Sequence, residues 1–270
     1  MIRLLQVEVV YPGGFTGLHS TTIHFRRGEF AVLLGASGAG KSTLLRCLNL
    51  LNRPSSGSVE VSGLGLLVDR GSTQRHRRQT GMVFQQHQLI GRHSALQNVL
   101  LGRIGYHSTL RSLFPLPCAD RAFALECLER VDLLDKALER VDQLSGGQQQ
   151  RVGIARALAQ RPRLVLADEP VASLDPASAE KILELLRRVC KQDGITAILS
   201  LHQVELAQAY ADRIIGLSHG AVVFDGAPQD LTPAYLAQLY DQASRPPGST
   251  ADLTNPTSTS FNLVAAKESL

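Results

Sequence analysis

An unbroken apolar run, Phe30-Ala31-Val32-Leu33-Leu34, leads directly into Gly35-Ala36-Ser37-Gly38-Ala39-Gly40-Lys41-Ser42, and Leu44, Leu45, Leu48 and Leu51 follow at helical spacing. The periodicity switch predicts a short buried strand, a glycine-lined turn and an amphipathic helix from Ser42 to Leu51. In such a turn, residues without a Cβ let backbone N–H groups approach phosphate oxygens, and the helix N-terminus adds partial positive charge. Lys41 can then reach β/γ-phosphates, and Ser42 stands where a hydroxyl can hold Mg²⁺. A chance Gly/Ser turn would match the bare pattern, but the flanking strand and helix are the context that the chemistry requires.

A second apolar run, Leu164-Val165-Leu166-Ala167, ends in Asp168-Glu169-Pro170. Open α/β sheets bind ligands beyond the carboxyl ends of their strands, so a buried strand delivering two carboxylates there suits metal–nucleotide chemistry. Asp168 is the candidate Mg²⁺ partner and Glu169 the group that polarises an attacking water. Between the two runs lies Leu144-Ser145-Gly146-Gly147-Gln148. Ser145 is a good N-cap, and the two glycines open a helix carrying Val152, Ile154, Ala155, Leu158 and Ala159, which creates a second anion-binding helix end.

Elsewhere, Met1 to about Phe30 carries short apolar runs and Gly/Pro turns, as expected of a small antiparallel sheet that Val59-Glu60-Val61 and the run to Val68 continue. From about Gln88 to Gln160 the pattern is helical, clearest over Ala119 to Val131. Strand–helix alternation then returns, with helices near Ala177 to Lys191 and Val204 to Ala211 and strands at Thr196 to Leu201, Ile214 to Leu217 and Ala221 to Phe224. Residues 243–270 begin with a Ser/Thr/Pro-rich stretch that reads as a flexible tail.

With 270 residues, 44% of them hydrophobic and 19% charged, the chain can bury a substantial core. No apolar stretch approaches the ~20 residues that span a bilayer, and the first ten residues lack a signal-peptide layout, so a cytoplasmic location is expected. Cys47, Cys118, Cys127 and Cys190 have no C-x-x-C spacing and read as small buried hydrophobes. The net charge of +4 is densest at Arg70, Arg75, His76, Arg77 and Arg78. That cluster has no interleaved aromatics and adjoins a loop-like Gly71-Ser72-Thr73, so it reads as a solvated face, and no nucleic acid is expected as a partner.

Taken in chain order, these motifs resemble the ATP-binding subunits of ABC transporters, whose signature the Leu144–Gln148 stretch matches. The resemblance covers roughly residues 1 to 240. It implies a P-loop NTPase (RecA-like) α/β core with an antiparallel β subdomain and a helical subdomain over about 88–160, together forming one nucleotide-binding domain over 1–242. It further implies ATP and Mg²⁺ as ligands, with nucleotide contacts from Tyr11, Gly35, Ala36, Ser37, Gly38, Ala39, Gly40, Lys41, Ser42, Thr43, Ser145, Gly146, Gly147 and Gln148. Tyr11 matches the aromatic that stacks on adenine. Gln85 matches the glutamine that senses Mg²⁺ and the attacking water, with Gln86 and Gln88 as neighbouring alternatives. His202 matches the switch histidine at the γ-phosphate, and Ser173-Leu174-Asp175 the loop that meets a second subunit, though the same residues also suit an N-cap. In the family, two copies pair head to tail so that the signature of one closes over ATP held by the other. Partners follow: integral membrane permease subunits and an extracytoplasmic binding protein, with the chain itself peripheral on the cytoplasmic face of the membrane. The stretches around His202, Asp168 to Pro176, Tyr210 to Leu217 and Asn98 to Tyr106 look most like the phosphonate-import branch.

Overall fold

The computed structural model describes residues 1–85, 88–108 and 115–240. Gln86 and the expected tail at 243–270 therefore lie outside the described residues. Two sheets organise the chain. The larger contains β3 (Phe30–Leu34), β6 (Thr80–Val83), β7 (Leu164–Asp168), β8 (Thr196–Leu201), β9 (Arg213–Ser218) and β10 (Ala221–Gly226), in the order β10-β9-β3-β8-β7-β6. All neighbours are parallel except β10, which runs antiparallel to β9. The smaller sheet is antiparallel where β1 (Ile2–Val10) meets β2 (Thr16–Phe25) and β4 (Ser56–Val61), and β5 (Gly65–Leu66) closes its edge.

The unbroken apolar character of β3 has a direct cause: it lies between β8 and β9 and is buried along its whole length. Side chains alternate across a strand. Accordingly, Phe30, Val32 and Leu34 enter one hydrophobic core, and Ala31 and Leu33 enter another. The second core holds α1 (Lys41–Leu48) and the inner face of the antiparallel sheet, including Ile2, Leu4, Leu18 and Phe25. The first core holds α3 (Ala95–Leu100), α4 (Cys118–Arg130), α5 (Gly146–Leu158), α6 (Pro176–Gln192) and α7 (Val204–Tyr210). Two layers thus cover the parallel sheet, and its carboxyl edge stays open where β3, β7 and β8 end together.

Four details differ from the sequence reading. The helix after the glycine turn stops at Leu48, because Leu50 takes a left-handed conformation (φ 51°), and Leu51 is exposed instead of lying on the buried face. Residues 71–73 are helical, within α2 (Arg70–Arg78), because the Asp69 carboxylate caps that helix by accepting the Ser72 N–H at 2.8 Å. His76 is not on a solvated face: it is buried, with Nε2 donating to the Leu48 carbonyl at 2.8 Å. Cys118 is exposed, whereas Cys47, Cys127 and Cys190 are buried and their thiols are pushed up to about 12 by that burial.

Candidate active site

The glycine turn leaves β3 at Gly35, where φ is +152° and a Cβ would run into the Leu217 carbonyl. At Gly40 (φ +100°), which caps α1, a Cβ would come within 2.7 Å of the Gly17 carbonyl. Both positions therefore exclude any side chain, and they fold the loop tightly over the start of the helix. Lys41, the first residue of that helix, is only 4% exposed, and its Nζ donates to the carbonyls of Gly35 (2.8 Å) and Ala36 (2.9 Å). Burial lowers the Lys41 pKa, and the negative charges of Glu169 and Asp168 oppose that shift.

The next three groups meet at the carboxyl ends of β7 and β8. Ser42 Oγ donates to Asp168 Oδ1 at 2.9 Å. Ser200 Oγ donates to the same oxygen at 2.9 Å and accepts the Glu169 N–H at 2.8 Å. Glu169 itself sits in the left-handed region (φ 49°), which is costly for a residue with a long side chain. Its Oε1 is hydrogen-bonded to His202 Nε2, while Lys41 Nζ lies 3.4 Å from His202 Nδ1. An ammonium can only donate and a carboxylate can only accept. Nδ1 therefore faces a donor, and Nε2 is the nitrogen that donates to Glu169.

Lys41, Ser42, Asp168, Glu169 and His202, drawn from three separate stretches of sequence, are thus joined by hydrogen bonds. Ser200 was not singled out from the sequence. Its signal was a lone hydroxyl in the otherwise apolar second half of the Thr196–Leu201 run, in register with Asp168 on the neighbouring strand. Thr43 Oγ1 and Tyr11 Oη are 3.0 Å apart, and Asn52, also missed, donates to Tyr11 Oη at 2.9 Å. Tyr11 is half-buried beside the start of α1, with the exposed Phe15 ring nearly parallel at 6.3 Å. Gln85 follows β6, is exposed, and makes no side-chain hydrogen bond to the described residues.

Ser145 is where N-capping chemistry puts it, at the head of α5 in a capping box: its Oγ accepts the Gln148 N–H, and Gln148 Oε1 accepts the Ser145 N–H at 2.9 Å. This helix end is not part of the cluster around Lys41. Ser145, Gly147 and Gln148 border a cavity of about 250 Å³ with Lys136, Arg151 and Lys181, whereas residues 36–39 border another of about 330 Å³ with Ser218, His219, Leu239 and Tyr240. Asp175 caps α6, accepting the Ser178 N–H at 3.0 Å, and the hydrogen bonds from Ser178 lower its carboxyl pKa.

A glycine loop feeding a helix, paired with a strand-end Asp-Glu and a histidine across the sheet edge, is a recurrent nucleotide-hydrolysing arrangement. Comparison with known proteins gives it a family. Residues 18–172 match the family model described as ABC transporter. The chain belongs to the ABC transporter ATP-binding family. It is 61% identical over 243 residues to the phosphonates import ATP-binding protein PhnC 3 of Nostoc sp., covering 90% of this chain and 93% of that one. It is 63% identical over 240 residues to the phosphite import ATP-binding protein PxtA of Stutzerimonas stutzeri, covering 89% and 87%. Among solved structures, the dimeric post-hydrolysis state of the ATP-binding cassette MJ0796 bound to ADP and Pi matches with a TM-score of 0.73 and 35% identity, covering 84% of this chain and 99% of that one. As a member of this ABC family the chain has the P-loop NTPase fold, binds ATP and is an ATPase. Among the described residues, no helix is long and apolar enough to cross a membrane.

Proposed function

We propose that this chain is the ATP-hydrolysing subunit of an importer for phosphonates, working as a head-to-tail pair against permease subunits that an extracytoplasmic binding protein supplies. The observation that carries the reading is the joined cluster of Lys41, Ser42, Asp168, Glu169 and His202, set apart from the Ser145 helix end. The likeness to PhnC 3 and to the dimeric cassette supports the cargo and the pairing. Phosphite is the second reading, favoured by the likeness to PxtA. The absence of a membrane-crossing helix among the described residues fits a subunit held at the cytoplasmic face of the membrane by its permease. Residues 1–242 then act as one nucleotide-binding domain, with 88–160 as its helical subdomain.

In this reading the loop N–H groups and Lys41 hold the phosphates, and Tyr11 with Thr43 borders the base end of the nucleotide. Ser42 and Asp168 offer two hard oxygens, Oγ and Oδ1, a donor set that suits Mg²⁺ bound through one carboxylate and phosphate oxygens. Mg²⁺ would neutralise charge developing on the β/γ-phosphate oxygens. Gln85, exposed at the end of β6, is assigned to report on that metal and on the permease. The Glu169 carboxylate orients the attacking water and accepts its proton, and His202, donating through Nε2, keeps the carboxylate aimed. Ser145, Gly146, Gly147 and Gln148 of the partner copy close the cage from the opposite side by a second helix N-terminus.

Glu169→Gln tests this arrangement, because an amide oxygen still accepts from His202 while the base is lost. With saturating Mg-ATP the variant should migrate as a dimer and turn over ATP about 10²–10⁴-fold more slowly, and adding Ser145→Arg should return it to a monomer. A Glu169→Gln protein that stays monomeric, alone and with its permease, overturns the reading. Deletion strains grown on a phosphonate or on phosphite as sole phosphorus source separate the two cargoes.

A further inference from the structure

The switch histidine is gripped from both ends. Its ring faces Glu169 and Lys41, and its backbone carbonyl accepts a hydrogen bond from Tyr240 Oη at 2.8 Å. Tyr240 ends α8 (Pro233–Tyr240), far along the chain from the motifs that carry the chemistry. His202 lies between β8 and α7, after the strand's last residue and before the helix cap at Gln203. Neither element's hydrogen-bond ladder holds that carbonyl, and the Gln203 side chain does not cap the helix. The backbone behind the ring is therefore a short linker whose carbonyl is held from α8.

That helix is anchored through Leu239, its one buried residue, while Tyr235 and Tyr240 are exposed. A Cβ on Gly216 of β9 would come within 2.7 Å of the Leu239 side chain and 3.0 Å of Phe224 Cβ, so the glycine gives Leu239 its room against the sheet. Tyr235 packs against Phe224 of β10 at 5.0 Å. Leu239 and Tyr240 also border the cavity that Ala36, Ser37, Gly38 and Ala39 line, so α8 faces the phosphate loop across that cavity while bonding to the switch. Tyr240 is 37% exposed, and partial desolvation with the nearby Glu205 charge raises its hydroxyl pKa.

We infer that Tyr240 is a positioning residue for ATP hydrolysis: its hydroxyl fixes the His202 carbonyl and thereby the imidazole that aims Glu169. The inference rests on the proposed role of His202 at that site. Phosphate binding lies with the loop and Lys41, so loss of the hydroxyl should slow the chemical step and spare ATP affinity. A merely structural tyrosine would not produce that split.

Tyr240→Phe keeps the ring and removes only the donor. The variant should show kcat reduced about fivefold, KM for ATP within twofold of the parent and an unchanged melting temperature. Tyr235→Phe, whose ring faces Phe224, should retain parental kcat. In the same samples, amide hydrogen exchange at residues 203–204 should quicken in Tyr240→Phe. In the His202→Ala background, Tyr240→Phe should cause no additional loss of rate. Parental kcat in Tyr240→Phe, or an unchanged exchange rate at 203–204, refutes the positioning role. His202→Ala with parental kcat would instead refute the role given to the histidine, leaving the Tyr240 tether and its exchange signature intact.

Discussion

Ser200→Ala probes the site at the point the motifs do not mark. The Ser200 side chain is fully buried and makes two bonds: it donates to Asp168 Oδ1 at 2.9 Å and accepts the Glu169 N–H at 2.8 Å. Losing a hydrogen bond to a charged group costs about 1.5–3 kcal/mol, and leaving a buried N–H unpaired costs about 1–3 kcal/mol. Ser42 still donates to Asp168, which softens the first loss, so the net destabilisation should be about 2–4 kcal/mol. For a domain of this size that corresponds to a fall in melting temperature of roughly 5–15 °C. The larger consequence is kinetic. The Glu169 N–H bond helps to hold a left-handed backbone (φ 49°) that a non-glycine residue otherwise avoids. Once released, the carboxylate drifts from its aim, and small misplacements of a catalytic group cost about tenfold or more in rate. Thermal denaturation and steady-state ATPase assays measure both effects. Ser200→Cys, which keeps the volume and a weak donor, should fall between parent and alanine. A Ser200→Ala protein as stable and as fast as the parent would show that the bridge across Asp168 and Glu169 carries neither fold nor rate.

Two titrations give further tests. His76 is held neutral by burial, with its pKa lowered even though the bond to the Leu48 carbonyl works the other way. Below about pH 6.5 the unfolded histidine therefore binds a proton that the folded one resists, and stability falls with pH. Urea denaturation at pH 7.5 and 5.5 should show a smaller difference in His76→Gln than in the parent. Burial likewise lowers the Lys41 pKa, so ATP affinity, which needs the ammonium, should persist below that pKa and decline as pH rises through it. Nucleotide titrations at rising pH should show this decline setting in below the ordinary lysine range in the parent, whereas Lys41→Met should bind weakly throughout.

What the sequence made legible was whatever depends on local pattern. The apolar run at 30–34 had to be a doubly covered strand, and the glycines at 35 and 40 mark backbone positions where neighbouring carbonyls leave no room for a Cβ. Ser145 could be read as a cap because capping is a relation between residues three apart. The same locality hid the rest. Nothing near Ser200 in sequence shows that it faces Asp168, because that register is set by strand pairing across the sheet. Asn52 reaches Tyr11 only after the chain turns at Leu50, beyond the end of α1 at Leu48, and that left-handed turn also turned Leu51 outward. His76 looked like one more basic residue in an arginine-rich stretch, because which side of a short polar helix meets the core is decided by the partner, not by its composition.

A short packed path runs from Glu169 to the signature helix. Ala172 N–H donates to the Glu169 carbonyl and Leu174 N–H to the Val171 carbonyl, so residues 169–174 form consecutive tight turns with little slack. Leu174 then lies against Gly146, where a Cβ would be 3.7 Å from its side chain, and Asp175 anchors the far end as the cap of α6. Glu169 and the Ser145 helix end of the same chain are thus connected by one short packed segment. In a head-to-tail pair that helix end serves the other nucleotide. In the pairing proposed above, one such packed segment of each chain would run between the two nucleotides, and the Leu174 contact is loose enough that a small side chain at 146 would also fit.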